Sequence, residues 1–372
     1  MGVRKGTVEN MGLTPDIWRG KRVLVTGHTG FKGAWLCQWL LDMGAEVTGL
    51  SLPPEGSTNL WDVLALDGAM RSLVVDIRDG SALRAAMMQA DPQVVLHLAA
   101  QSLVRRSYRE PAETFATNVM GSVNLLNAAR DCPNLQAVVV VTTDKCYQND
   151  EDARAFRETD PMGGHDPYSA SKGAAELATA AMRASFFGPS SAGGHPARVA
   201  SARAGNVIGG GDWSEDRIVP DIIRGCMMGE GKVAIRSPNA IRPWQHVLEP
   251  LAGYLMLAEA LIADALGAAS GWNFGPDPDQ ERPVIDLVHA LIANLETGQA
   301  IVDPAAADLH EAGILRLDST KARRLGWRPV LSFDETARLT AQWYRAHGDG
   351  QDAQQLCRAQ IATYVNKLKA LQ

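Results

Sequence analysis

Tyr168 and Lys172 stand four residues apart in the stretch Asp166-Pro167-Tyr168-Ser169-Ala170-Ser171-Lys172. On a helix that spacing stacks the two side chains on one face. A phenol so placed can give or take a proton, while the ammonium lowers its pKa and reaches a cofactor hydroxyl. The pair by itself fits an exposed helix without chemistry better than it fits a site, since the spacing recurs by chance in many helices. A second polar cluster, Thr143-Asp144-Lys145-Cys146-Tyr147, follows the apolar run Ala137–Val141. Such a run reads as a central parallel strand covered on both faces, extending here to Thr143. The carboxyl ends of such strands line the ligand crevice of an open sheet, so polar residues there are strong candidates for chemistry.

The elements that must position these groups are legible upstream. Lys21–Thr26 is an apolar run ending in Gly27-His28-Thr29-Gly30-Phe31-Lys32-Gly33, after which Ala34, Trp35, Leu36, Trp39, Leu40 and Met43 recur at helical spacing up to Gly44. Strand, glycine-rich turn and amphipathic helix form the context of a dinucleotide fingerprint. The glycines permit a tight turn, and the helix N-terminus faces a pyrophosphate. The next strand, Glu46–Leu50, is followed by Ser51. With neither an acid for a ribose nor an arginine for a 2′-phosphate at that tip, NAD and NADP stay open and weak binding is expected. Ser72–Val75 reads as a strand leading to Asp76-Ile77-Arg78-Asp79, which could equally be a solvated turn. Val94–Gln101 reads as a buried strand whose end, Leu98-Ala99-Ala100, lets backbone pass under a cofactor. A helix is expected from about Asn118 to Arg130, with Asn118 as its cap or as a ribose contact. This alternation from 21 to 205 predicts an α/β fold with a doubly wound parallel sheet.

Beyond the strand Arg198–Ala204 the chain changes character. Gly209-Gly210-Gly211-Asp212-Trp213 and Arg217 read as a loop closing over a ligand. A helix from about Pro250 to Leu266 and a strand Gly271–Phe274 are expected to return to the first domain. Pro276 onward, with Leu309–Ala312 and Asp318–Lys321, is assigned to the smaller domain. The expected division is a dinucleotide-binding domain over 17–205 with a return segment over 245–275, and a smaller α/β substrate domain over 206–244 and 276–345. Residues 1–16 read as a tail, Pro189–Gly194 as a surface loop, and the last 25 or so residues as a helix without an assignable role.

The 372 residues carry a net charge of -6, 46% hydrophobic and 21% charged side chains. That is an ordinary globular composition, and its sign argues against a nucleic-acid-binding surface. Five scattered cysteines and eight histidines show neither paired spacing nor metal-ligand spacing, which predicts reduced thiols and no metal. No apolar segment reads as a signal peptide or membrane span, so a cytoplasmic protein is expected.

Six motifs together carry a resemblance: GHTGFKG (Gly27–Gly33), TDKCY (Thr143–Tyr147), GGHDPYSASK (Gly163–Lys172), AGNVIGGGDW (Ala204–Trp213), DRIVP (Asp216–Pro220) and IRPWQHVLEP (Ile241–Pro250). Over about residues 17 to 345 the chain resembles the nucleotide-sugar branch of the extended short-chain dehydrogenase/reductases. In the dTDP-glucose dehydratases of that branch the threonine is followed by Asp-Glu. Here Asp144-Lys145 follows Thr143, as in the CDP-glucose 4,6-dehydratases, whereas epimerases lack such a pair.

The resemblance implies NAD held by Gly27, Thr29, Gly30, Phe31, Lys32, Gly33, Asp76, Ile77, Leu98, Ala99, Ala100, Asn118 and Thr142, with Tyr168 and Lys172. It makes Tyr168 the base on a glucose 4-hydroxyl that Thr143 also binds, Asp144 the acid for the departing 6-hydroxyl, and Lys145 the group at the C5 proton. Lys145 could instead stay charged and steady the enolate electrostatically, leaving that proton to water or Tyr147, or be only the salt-bridge partner of Asp144. Asn206 matches a phosphate contact and Arg242 a diphosphate clamp, with Arg217 a second candidate; either arginine could be a surface ion pair. The phenol must fall about three units to serve near neutrality, worth about 4 kcal/mol. Also implied are a homodimer or homotetramer packed through the Asn118 and Tyr168 helices, and a deoxysugar product for a surface glycan such as a lipopolysaccharide O-antigen. The competing readings are a dTDP-, GDP- or UDP-sugar dehydratase, a 4-epimerase, and a non-catalytic NAD-sensing protein.

Overall fold

The computed structural model describes residues 13–150, 154–188, 194–302 and 313–371. Most of the expected tail, most of the Pro189–Gly194 loop and the Leu309–Ala312 stretch lie outside the described residues. Seven strands make one parallel sheet: β1 (Arg22–Thr26), β2 (Glu46–Ser51), β3 (Arg71–Val74), β4 (Val94–His97), β5 (Ala137–Val141), β6 (Arg198–Ala204) and β7 (Gly271–Phe274). Their spatial order, β7-β6-β5-β4-β1-β2-β3, is the doubly wound arrangement expected from the alternating sequence. The order reverses between β1 and β4, which opens a crevice at the carboxyl ends.

Alternate strand residues feed two cores. Val23, Val25, Val94, Leu96, Val139 and Val141 pack on one face, and Leu24, Val95, Val138 and Val140 on the other. Because both faces are covered, β5 reads as an unbroken apolar run rather than an alternating one. Helix α1 (Phe31–Asp42) follows the glycine turn and is buried from Gly33 through Leu40. Helix α2 (Pro167–Phe186) starts with Pro167 in its first turn and with the Asp166 carboxylate accepting from Ser169 N. Helix α3 (Leu248–Ile262) is buried on nearly every side and lies against β5 and β6.

Two C-terminal helices, α4 (Phe333–Gly348) and α5 (Ala353–Ala370), give the last segment a place. Tyr364 of α5 meets Trp39 of α1 edge to face at 5.7 Å, and its hydroxyl donates to Glu249 of α3 at 2.7 Å. Helix α1 is thus covered from outside as well as by the sheet. Among the described residues no helix is long and apolar enough to cross a membrane.

Several local expectations are corrected. The helix expected to open at Asn118 begins at Pro111 and runs to Ala129 through a π turn, Ala116–Met120, so Asn118 lies inside it and caps nothing. Pro111 in the first turn sets that earlier start. Strand β4 stops at His97, where its ladder to β1 and β5 ends, and β5 stops at Val141. Helix α3 begins at Leu248 and ends at Ile262, short of Leu266. Beyond β6, short strand pairs join Val207–Ile208 to Gln245–His246, Lys232–Ile235 to Gln299–Val302, and Ile241–Arg242 to Arg282–Pro283.

Candidate active site

A cleft of about 780 Å³ runs along the carboxyl ends of the sheet, from the glycine turn to the segments around Asn206, Arg217 and Arg242. Gly27 holds a left-handed φ of +73°, and a Cβ there would stand 2.7 Å from Ala99 N. A Cβ on Gly33 would stand 2.1 Å from Gly27 O. Only bare backbone allows the turn to lie this close to both β4's continuation and α1. The cradle so formed, with Gly30 N–H bonded to Gly27 O and α1 starting at Phe31, fits the pyrophosphate of a dinucleotide. Thr29, Phe31, Lys32, Asp76, Ile77, Leu98, Ala99, Ala100 and Thr142 continue the same wall.

At the tip of β2 the Ser51 hydroxyl pairs with Thr29 Oγ1 at 2.9 Å, so this position offers a hydroxyl where an acid was sought. A carboxylate on this wall is Asp76, which Arg78 grips at 2.6 Å and holds below the usual carboxylate range. Asn118 lies behind the wall. Its side chain accepts from Gln101 N at 2.9 Å and donates to Gln101 O and Ser171 Oγ, tying the segment after β4 to α2.

The reacting centre gathers at the end of β5. The Thr143 hydroxyl donates to Asp144 Oδ1 at 3.0 Å, and Lys145 Nζ lies 3.6 Å from the same oxygen. Asp144 is 1% exposed and sits behind the cleft wall, its Oδ2 without a hydrogen-bond partner. Lys145 reaches the cleft itself. Tyr168 and Lys172 face it from α2, one helical turn apart. The phenol is not lowered as the Tyr-Lys spacing suggests. Burial pushes it up to about 12, against hydrogen bonding to Thr143 and the charge of Arg217. Burial also brings Lys172 down to about 8, opposed by Glu176 and Cys146. Lys32 is brought to about 7 by burial, then by Arg217 and Lys172.

Tyr147 is removed from the proton-transfer candidates. Its hydroxyl donates to Asn273 Oδ1 and accepts from Arg203, both at 2.6 Å, inside the core. On the opposite bank, Asn206 keeps a buried Oδ1 without a partner, and Arg217 donates to Ser102 Oγ at 3.0 Å with Asp212 at 3.5 Å. Arg242 donates to the carbonyls of Ile241 and Gly313. Sequence reading missed Glu176 and Arg203, a buried pair 2.8 Å apart beneath the centre. Extending the four-residue spacing of Tyr168 and Lys172 by one step would have found Glu176.

A doubly wound seven-stranded sheet with a glycine turn and a Tyr-x-x-x-Lys helix on one crevice defines an extended short-chain dehydrogenase/reductase. The family model described as GDP-mannose 4,6 dehydratase matches residues 24–340. A CDP-glucose 4,6-dehydratase from Salmonella typhimurium is 44% identical over 355 residues, covering 95% of this chain and 99% of that protein. The chain belongs to the nucleotide-sugar 4,6-dehydratases. A dTDP-glucose 4,6-dehydratase from Xanthomonas campestris is 27% identical, over 86% of this chain and 92% of that protein. Among solved structures, a dTDP-glucose 4,6-dehydratase from Streptomyces venezuelae with NAD bound aligns at TM-score 0.72 and 24% identity, covering 89% of this chain and 99% of that one. The UDP-glucose 4-epimerase of Thermotoga maritima aligns at TM-score 0.75 and 23% identity, over 87% and 99%.

Proposed function

We propose that this chain converts CDP-glucose to CDP-4-keto-6-deoxyglucose and water, as a CDP-glucose 4,6-dehydratase. The observation that carries the reading is the turn on which the Thr143 hydroxyl, the Asp144 carboxylate and the Lys145 amine touch one another beside Tyr168. A 4-epimerase has no use for that acid and amine. NAD would be held by the glycine turn, Tyr168 and Lys172, and would supply the hydride acceptor for C4 and return the same hydride to C6.

The side chains do the rest. Thr143 hydrogen-bonds the glucose 4-hydroxyl while Tyr168, as its phenolate, takes the proton and leaves a 4-keto sugar. Burial opposes that charge, so the Lys172 ammonium and the positive nicotinamide of a bound cofactor would have to favour it. The new carbonyl acidifies C5–H, and Lys145 in its neutral form takes that proton. The C6–O bond breaks as Asp144, in its acid form, protonates the departing hydroxyl to water. Reprotonation of C5 by Lys145 completes the side-chain proton transfers. Passage of the Tyr168 proton through the Thr143 hydroxyl to Asp144 resets both groups, and the Thr143–Asp144 bond is the second leg of that path. Arg217 and Arg242 flank the diphosphate with charge-assisted bonds, and Asn206 adds a neutral contact. A second copy packs on the Pro111–Ala129 and α2 helices, where Phe115, Met120 and Leu177 are exposed. The protein acts in the cytoplasm, in keeping with five free, buried thiols.

The test is incubation with NAD⁺ and CDP-glucose deuterated at C4, beside the dTDP, UDP and GDP analogues. Deuterium at C6 of a 4-keto-6-deoxy product, from the CDP sugar alone, is the expected outcome. Preferred turnover of another nucleotide sugar, or loss of no sugar oxygen, refutes it.

A further inference from the structure

Beneath the catalytic turn lies a charge pair that the mechanism above does not use. Glu176 follows Tyr168 and Lys172 at the same four-residue interval, so all three share one face of α2. Its carboxylate is 4% exposed and fully engaged: Oε1 accepts from Thr142 Oγ1 at 2.5 Å, and Oε2 from Ser201 Oγ at 2.6 Å and Arg203 at 2.8 Å. The other arm of Arg203 donates to the Tyr147 hydroxyl at 2.6 Å. Thr142 and Tyr147 are the residues just before and just after the turn that carries Thr143, Asp144, Lys145 and Cys146. Room for the guanidinium is kept by Gly271, where a Cβ would come within 2.5 Å of it.

We propose that the Glu176–Arg203 pair is a positioning clamp for this reaction. Glu176 holds one end of the catalytic turn through Thr142, Arg203 holds the other through Tyr147, and Glu176 is the counter-charge of Lys172. The inference rests on the site reading given above. A merely structural buried pair would be expected to contribute little net stability over an apolar replacement. Here each partner instead reaches a different end of the same turn, and the anion stands one helical turn from the ammonium that holds the cofactor.

The groups facing Lys172 are few. From α2 come Tyr168 and Glu176. The catalytic turn brings the Cys146 thiol, β5 the Val141 carbonyl at 3.5 Å, β4 His97, and α1 Lys32. Glu176 is the one carboxylate in that set. Its removal leaves Lys172 facing Lys32 with no carboxylate among these groups, and this favours loss of the ammonium proton.

Three variants separate the two roles. Thr142→Val and Tyr147→Phe each release one end of the turn and keep the charge pair. We expect kcat to fall at least tenfold in each, KM to change less than threefold, and the pH profile to keep its position. Glu176→Gln removes the counter-charge, and the alkaline limb of kcat moves to lower pH by about one unit. A purely structural pair would lower Tm and scale kcat equally at all pH values, with the limb in place; that result overturns the counter-charge. Unchanged kcat in both Thr142→Val and Tyr147→Phe overturns the clamp, and these two decide the matter if Glu176→Gln does not fold. Rates are compared with the unvaried protein on whichever nucleotide sugar it turns over, so failure with CDP-glucose counts against the proposed function and not against the clamp.

Discussion

In the proposed reaction Asp144 and Tyr168 divide the proton work between an acid behind the cleft wall and a buried base that lines the cleft, and the two are testable apart. Asn in place of Asp144 keeps an oxygen for the Thr143 hydroxyl at 3.0 Å while removing the proton it must give. We expect Asp144→Asn to oxidise the sugar at C4 yet eliminate water 10²- to 10⁴-fold more slowly, the usual scale of general acid catalysis at roughly that range. Stopped-flow absorbance of the reduced cofactor should then rise and persist; decay at the unvaried rate would remove Asp144 from the role. The sequence made both residues visible, one by its strand-end position and the other by its four-residue partner. What it could not convey was their electrostatics. The spacing suggests a lowered phenol, but burial of Tyr168 between α2 and the sheet raises it to about 12, and that burial is assembled from segments far apart in the chain.

The glycine turn shows how closely an element can be prescribed by its residues. Gly33 sits inside α1 where a Cβ would meet Gly27 O at 2.1 Å and His28 Cα at 2.8 Å, all backbone that cannot swing aside. A Cβ on Gly30 would find its nearest neighbour at 3.4 Å. Gly33→Ala is therefore expected to cost about 1–3 kcal/mol, the range for overpacking, and Gly30→Ala much less. Equal Tm values for the two variants would contradict the close approach. Strand, turn and helix were legible here because their signals are local. The π turn around Asn118 and the seat of α5 were not: one depends on where Pro111 starts the helix, the other on an apolar face of α1 that only Tyr364 and its neighbours cover.

Over the whole molecule, two sets of buried groups set the response to acid, and they oppose each other. Burial drives His28 to about 4, and His97 and His246 to about 3, from an ordinary 6.5. Below 6.5 the unfolded chain takes up protons that the folded one refuses, so stability falls as pH drops from about 6.5 toward 3. Glu249 and Glu259 on α3 behave in the reverse sense, raised by burial from 4.5 to about 7. Between about 4.5 and 7 the folded state binds protons that the unfolded one has released, so acidification through that window adds stability. The two effects partly cancel down to about pH 4.5. Below it the glutamates are protonated in both states and contribute no further change, while the histidines still lose ground. Glu176, held low by Arg203 against its own burial, begins to lose ground there too. Calorimetric Tm should therefore change little between pH 7 and 5 and drop steeply below about 4.5. Glu259→Gln keeps an acceptor for Trp18 Nε1 and removes one opposing titration, so its decline should start nearer pH 6. A variant curve parallel to that of the unvaried protein would mean that Glu259 is ionised throughout in the folded state, held by its hydrogen bonds to Trp18 and Thr14 against the burial that raises it.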